Sequence, residues 1–303
     1  MRTAYLGTSG FAAATLRRLA ETEHRPLLVV TPPDRRAGRG RRAQAPPAAR
    51  AAAELEVDLL QAEDVNESGP LARVREARPE AVVVCAFGQL IREPLLSELS
   101  LLNVHPSLLP RWRGAAPIER AIMAGDERTG VSVMRLTEGL DSGPVALQDE
   151  VAIGAEDDFE SLSGRLEAAG GDLLVRALDL FAVGELRFTE QDEGGVTYAE
   201  KIEAADRRLD PDRPAIELER AVRALTPHIG AYLEIAGGRR LGVRRARAVE
   251  VEVEVEVGDI RSEWGALLLG CGSGALRLEV VQAQGGRPMP ADAYLRGHPV
   301  PKL

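Results

Sequence analysis

Residues Ala81-Val82-Val83-Val84-Cys85-Ala86, the helical stretch Glu93–Leu99 and the run Leu101-Leu102-Asn103-Val104 decide how this chain folds. A short unbroken apolar run rich in Val fits a strand buried on both faces, and two such strands separated by a helix are the unit of a parallel sheet. The pattern extends outward from there. Thr3–Leu6, Pro26–Val30 and Val57–Leu60 are further buried-strand runs, with helical periodicity over Phe11–Glu21, Ala48–Glu56, Pro70–Arg78 and Ala115–Ala124. Downstream, Val131–Leu136 and Val145–Ile153 read as strands and Asp157–Phe181 as one long helix. Its opening acids, Glu156-Asp157-Asp158, sit where the helix dipole favours negative charge. Strands alternating with helices predict a doubly wound α/β sheet, which binds ligands beyond the carboxyl ends of its strands.

Regular patterning lapses over 187–214, which reads as a connection between domains. Beyond it lie a helix, Ile216–Ala224, and short strands at Ala231–Ile235, Arg240–Ala248, Glu250–Val257, Ala266–Gly270 and Leu276–Val281. That spacing suggests a small barrel, and a five-stranded OB-like barrel fits the size. Val and Glu alternate strictly through Val249–Val257, the pattern of a half-buried strand with a solvated acidic face.

Composition narrows the class. The 303 residues are 45% hydrophobic and 28% charged, ordinary for a globular chain of two domains and unlike a disordered, collagenous or disulfide-stapled one. Cys85 lies in an apolar run, and with Cys271 as its only companion no disulfide framework or zinc-ligand spacing exists. No signal peptide is seen and no apolar run reaches the ~20 residues of a membrane helix, so a cytoplasmic protein is expected. The net charge of −9 argues against a nucleic-acid partner at first sight. Only Lys201 and Lys302 are lysines, however, and the charge is uneven: residues 1–206 hold 23 basic and 34 acidic side chains, residues 207–303 hold 15 and 13. Arginine favours bidentate contact with carboxylate or phosphate.

Several loops carry possible chemistry. Gly7-Thr8-Ser9-Gly10 lacks the spacing of a dinucleotide fingerprint and reads as a tight turn bringing backbone near a small ligand. The segment from Pro33 to Pro47 contains Arg35, Arg36, Arg39, Arg41 and Arg42 against Asp34 alone, in an otherwise acidic half of the chain. Such a loop suits phosphate backbones, the ordinary alternative being a solvated surface loop. Asn103 and His105 are two residues apart at a strand end, so their side chains point to one side, and Pro106 holds His105 extended. An amide donor beside a titratable donor is what a developing oxyanion needs. Asp141, between Gly139 and Gly143, is a turn residue that, brought to His105, would orient the imidazole and relay protons.

The run from Leu102 to Pro117, with Gly139–Gly143 downstream, resembles the folate-dependent formyltransferase family. Asn103, His105 and Asp141 fall on that family's catalytic trio, and Ser107-Leu108-Leu109-Pro110 on its tetrahydrofolate-associated signature. Phe87-Gly88-Gln89-Leu90 falls on one wall of its pterin pocket. The likeness is strongest to members that formylate methionyl initiator tRNA. It includes Arg111–Ile118, Pro33–Arg35 with Ala37–Gly40, Val196–Ile202, Ala224–Pro227, Tyr232–Ile235 and Arg287–Met289, and so spans essentially the whole chain. The first turn departs from the family pattern, having Ser9-Gly10 where Pro and an acidic residue are usual.

The resemblance implies a Rossmann-like, mostly parallel formyltransferase domain over 1–186, a linker over 187–208 and an OB-like tRNA-binding domain over 209–303. It implies 10-formyltetrahydrofolate as formyl donor, initiator methionyl-tRNA as acceptor, and no metal. Arg239, Arg240, Arg244 and Arg245 of the second domain, with Arg247 beside them, are expected to meet tRNA phosphates together with the Arg35–Arg42 loop. No protein partner is implied, and a monomer is expected. Formylation of an amino-sugar nucleotide or glycinamide ribonucleotide is the alternative within the same chemistry. An RNA-binding protein with an inactive formyltransferase core is the alternative outside it.

Overall fold

The computed structural model describes residues 1–37, 42–250, 255–263 and 265–303. The chain divides into two compact units: 1–114, 128–152 and 163–198 form the first, and 115–127, 153–162 and 199–303 the second.

The first unit is built on a seven-stranded sheet. Its strands lie in the order Val145–Ala152, Arg128–Arg135, Leu101–His105, Ala81–Cys85, Thr3–Gly7, Pro26–Thr31, Asp58–Gln61. From Leu101–His105 to Asp58–Gln61 neighbouring strands are all parallel, and the two strands at the other edge are each antiparallel to their neighbour. One face packs Leu6, Leu28, Val30, Val82, Val84 and Leu101 against Leu71, Val74 and Leu95 of the flanking helices. On the other face lies the helix Phe159–Ala182. A Cβ added at its Gly170 would lie 3.2 Å from Phe11 and 3.4 Å from Val104, so glycine lets this helix sit close to the sheet.

The sheet reverses direction between Thr3–Gly7 and Ala81–Cys85, and the crevice at such a reversal is where open α/β sheets bind ligands. Thr8 Oγ1 donates to the Phe87 carbonyl at 2.5 Å and ties the two strand ends together. Gly7 is there for packing: a Cβ would stand 2.6 Å from the Tyr5 ring and 2.8 Å from Ala12 Cβ. Ser9 is the N-cap of the helix Gly10–Ala20, its hydroxyl accepting from the Ala12 N–H at 3.3 Å. The residues that replace the usual Pro-acidic pair therefore start a helix.

The helix expected over Glu93–Leu99 is only Leu95–Glu98; Pro94, its N-cap, disfavours helical backbone at Glu93. The flanks of the Arg-rich loop pair antiparallel, Arg35–Ala37 with Arg42–Gln44, where the sequence suggested only irregular chain. Of the expected connection, 187–198 folds into the first unit and 199–208 into the second. Thr189 pairs with Val145, and Phe188 lies under the Arg135 guanidinium, 4.3 Å from its ring centre.

The second unit carries an antiparallel sheet in the order Ala231–Ile235, Arg239–Val249, Ala275–Ala283, Ala266–Gly270, Ile260–Glu263, with Met289–Pro290 also on Ala275–Ala283. Leu218, Val222 and Leu225, spaced for one face of the helix Ala215–Leu225, enter a core with Leu233, Leu241, Val243, Leu269, Leu276 and Leu278. Of the Val-Glu alternation, 251–254 lie outside the described residues; Val249 ends the strand Arg239–Val249, and Val257 makes a single bridge to Gly270 instead of continuing a strand. The strand Ile260–Glu263, paired with Ala266–Gly270, has no counterpart in the sequence reading.

Both cysteines are free and buried. Burial pushes the Cys85 thiol up to about 12 and the Cys271 thiol up to about 11. A thiol-alkylating reagent at about pH 8 is therefore expected to modify neither in the native protein and both after unfolding; stoichiometric native labelling would contradict this.

Candidate active site

Asn103 and His105 leave the sheet at the carboxyl end of Leu101–His105, buried to 7% and 4% exposure. Their two-residue spacing puts both side chains on the side to which the Thr137–Pro144 loop returns Asp141. Asp141 Oδ2 is 3.6 Å from His105 Nδ1, and Asp141 Oδ1 is 3.4 Å from Asn103 Nδ2. The Asn103 contact is a long hydrogen bond, and the His105 contact lies just beyond hydrogen-bond range. The carboxylate's short bond is from the Gly114 N–H, 2.9 Å from Oδ2. His105 Nε2 lies 2.8 Å from the Trp112 carbonyl. A carbonyl only accepts, so Nε2 bears the hydrogen and Nδ1 is the nitrogen facing Asp141.

The backbone around this cluster is unusual. Asp141 (φ 44°), Trp112 (φ 62°) and Ala86 (φ 41°) are non-glycine residues in the left-handed region. Each costs about 1–3 kcal/mol and persists because its surroundings hold it. Asp141 is held by Gln191, whose Nε2 donates to the Asp141 carbonyl at 2.8 Å and the Gly143 carbonyl at 2.7 Å. Gln191 Oε1 in turn accepts from Nε of the buried Arg113 at 3.0 Å. Trp112 is held by Thr197, whose hydroxyl accepts from its N–H at 2.8 Å. Arg113, Gln191 and Thr197 were not among the expected site residues. Gln191 lies in an irregular stretch with no periodicity to mark it, whereas Arg113 and Thr197 fall inside quoted family motifs.

The Ser107–Pro110 loop is braced from within. Ser107 is wholly buried and its hydroxyl donates to the Arg111 carbonyl at 2.6 Å. Ser132 Oγ donates to the Ser107 carbonyl at 2.6 Å and accepts from the Leu109 N–H at 3.1 Å. Leu109 is buried, and Leu108 and Pro110 are half-buried. Of the other expected wall, Phe87 is a core residue and Gly88 takes φ 77°. Gln89 donates to the Ala62 carbonyl and accepts from the Val65 N–H, while Leu90 is 62% exposed.

The expected basic residues fare differently from one another. Arg35 is exposed; Arg36 and Arg42 lie in the short paired strands; Arg39 and Arg41 are outside the described residues. Arg239 and Arg240 are exposed with no carboxylate partner among the described residues, and Arg240 lies 4.4 Å over the Tyr232 ring. Arg244 is directed to Gln282 Oε1, and Arg245 pairs with Glu279 at 2.7 Å. Arg247 pairs with Glu156 and approaches the buried Glu219. Of the arginines expected to meet phosphate in this unit, Arg245 and Arg247 are thus neutralised by carboxylates distant in sequence, while Arg239 and Arg240 are not.

Among the described residues, Glu23, His24 and Asp179 place metal-ligand-type atoms within 4.8 Å of one another. His24 already uses both ring nitrogens there, Nε2 at 2.8 Å from Asp179 and Nδ1 at 3.4 Å from the Met1 amine. Among the described residues no helix is long and apolar enough to cross a membrane.

Residues 1–178 match the family described as Formyl transferase, and residues 201–299 match Formyl transferase, C-terminal domain. The chain is 40% identical over 300 residues to the methionyl-tRNA formyltransferase of Parvibaculum lavamentivorans, covering 98% of this chain and 97% of that protein. It is 41% identical over 299 residues to the methionyl-tRNA formyltransferase of Halorhodospira halophila, covering 98% and 96%. Among solved structures, HypX from Aquifex aeolicus in complex with tetrahydrofolic acid superposes with a TM-score of 0.65 at 19% identity, a likeness of fold. The alignment takes in 97% of this chain and spans about half of that one, 47%.

Proposed function

From a chain that belongs to the formyl transferase family, we infer an enzyme that moves the formyl group of 10-formyltetrahydrofolate onto the α-amino group of methionyl initiator tRNA. The observation that carries this reading is the meeting of Asn103, His105 and Asp141 at one strand end, in a chain about 40% identical over its length to proteins of that name. The methionine amine attacks the formyl carbon and forms a tetrahedral intermediate with a negative oxygen. The Asn103 amide and a protonated His105 donate to that oxygen, His105 exchanging its contact with the Trp112 carbonyl for the new acceptor. Asp141 holds the imidazolium and accepts, through water, the proton lost by the amine. The bond from carbon to N10 then breaks, and N10 takes up a proton as tetrahydrofolate departs. Every role here falls to side chains, and no step calls for a metal.

The Ser107–Pro110 loop and the Phe87–Leu90 segment form the folate walls in this reading, and the rigid bracing of Ser107, Leu109 and Gln89 keeps those walls in place. Residues 1–186 constitute the catalytic domain, 187–208 the link and 209–303 an OB-like tRNA-binding domain. The protein acts in the cytoplasm as a monomer. Purified protein given 10-formyltetrahydrofolate and charged initiator tRNA is expected to yield formylmethionyl-tRNA. Free methionine, amino-sugar nucleotides and glycinamide ribonucleotide are expected to remain unformylated; preferential formylation of a small acceptor would overturn the assignment.

The Arg35, Arg36, Arg39, Arg41 and Arg42 loop grips the acceptor arm in this reading, with Arg239 and Arg240 meeting phosphates and Arg244 and Arg245 secondary to them. Each phosphate contact contributes about 0.7–0.9 to the slope of log affinity against log salt. Replacing Arg39, Arg41 and Arg42 by Ala is expected to flatten the salt dependence of the tRNA KM by about 2–3 in that slope. An unchanged slope would reduce the segment to a surface loop.

A further inference from the structure

The stretch 187–198 reaches both halves of the candidate site. At one end Gln191 bonds the carbonyls of Asp141 and Gly143, which bracket the left-handed Asp141 turn. At the other, the Thr197 hydroxyl accepts from the Trp112 N–H, and the Thr197 carbonyl accepts from the Arg113 N–H at 2.9 Å. Trp112 is the residue whose carbonyl meets His105 Nε2. One segment therefore sets the seat of the carboxylate and the seat of the imidazole.

Gln191 is the centre of this arrangement, and its amide has only one workable orientation. A guanidinium donates and never accepts, so the Gln191 oxygen must face Arg113 Nε, leaving the NH₂ group toward the two carbonyls. Arg113 is 4% exposed, and the carboxylate nearest it, Glu193 at 3.5 Å, belongs to an 83% exposed side chain. A buried cation thus fixes the rotation of the Gln191 amide, and that amide fixes the turn that presents Asp141. Aspartate adopts the left-handed region more readily than most residues, yet the turn still needs an external hold. Gln191 makes no hydrogen bond to Asn103, His105 or the Asp141 carboxylate, so its action runs through backbone.

We propose that Gln191 is a positioning residue for formyl transfer, its amide locked by Arg113 and clamping the Asp141 turn at its working distance from His105 and Asn103. The proposal rests on the catalytic reading above. Gln191→Glu keeps the side-chain size and the partnership with Arg113 but sets carboxylate oxygen against two carbonyl oxygens. The turn must then move, and displacements near 1 Å at a catalytic group cost about 10²-fold in rate. The expected result is a kcat lower by about that factor with both KM values nearly unchanged.

The second measurement needs no turnover. In protein labelled with ¹⁵N-histidine, the His105 ring signals, assigned by their absence in His105→Ala, are expected to shift in Gln191→Glu at fixed pH. Those of His24, His228 and His298 are expected to stay in place. If the glutamate variant fails to fold, Gln191→Asn serves in its place. It keeps donor and acceptor on a side chain one methylene shorter, and the same His105 displacement is expected. A folded variant with wild-type kcat and unmoved His105 signals would overturn the proposal. Absence of formyl transfer by the unaltered protein would instead overturn the catalytic reading, and the histidine spectra separate the two failures.

Discussion

Asn103→Ala and His105→Ala are each expected to lower kcat by about 10²–10³ while folate binding persists, the usual loss for one oxyanion donor. Both side chains are buried at a strand end, and among the described residues their side-chain polar partners are Asp141 and the Trp112 carbonyl. Their donors are thus available to a group that enters between them and Asp141. The contacts at 3.4 and 3.6 Å are long, as expected of catalytic groups that tighten only around a reacting substrate. Because both donors would serve the same oxygen, the double variant is expected to lose less than the product of the single losses. Single-turnover formylation with charged tRNA measures the chemical step, and calorimetric titration with a non-transferable folate measures binding. Full turnover in both single variants would remove the oxyanion assignment.

Gly143→Ala is expected to lower kcat by about 10²-fold with the fold retained, through displacement of Asp141 rather than loss of any functional group. A Cβ at this position would lie within 1.9 Å of the Arg135 carbonyl oxygen, which belongs to a strand of the central sheet and does not yield. The loop must therefore move, and with it both the Gly143 carbonyl that Gln191 holds and the carboxylate two residues earlier. Circular dichroism is expected to match the unaltered protein, because the change is confined to the loop that joins Arg128–Arg135 to the edge strand Val145–Ala152. A variant of normal activity would show that the Asp141 turn tolerates displacement, which the mechanism does not allow.

The parallel sheet was legible in the sequence because its strands are buried on both faces, and a fully buried strand is a short run of Val, Leu and Ala that local composition reveals. Thr3–Gly7, Pro26–Thr31, Ala81–Cys85 and Leu101–His105 emerged within a residue or two of their expected limits. The short pair Arg35–Ala37 with Arg42–Gln44 and the edge strand Ile260–Glu263 were less visible, since short strands rich in polar residues leave little hydrophobic period. Half of the candidate site was legible on the same terms. Asn103 and His105 share a face by the two-residue repeat of any strand, so their partnership is a local property.

What the sequence determined by itself is the set of local elements, the side of the sheet on which Asn103 and His105 emerge, and the turn character of Asp141. The family resemblance grouped Asp141 with that pair, and only the tertiary structure showed how the three meet and brought in Gln191. Asp141 is 36 residues beyond His105, and Gln191 is 50 beyond Asp141. No repeat or spacing predicts those meetings, because they depend on which strand ends the sheet order brings together. The same holds for Arg245 and Arg247, whose charge looks free in the sequence and is neutralised by Glu279, Glu156 and Glu219 in the fold. Periodicity is a short-range property of the backbone, whereas the partner of a buried polar group is chosen by packing.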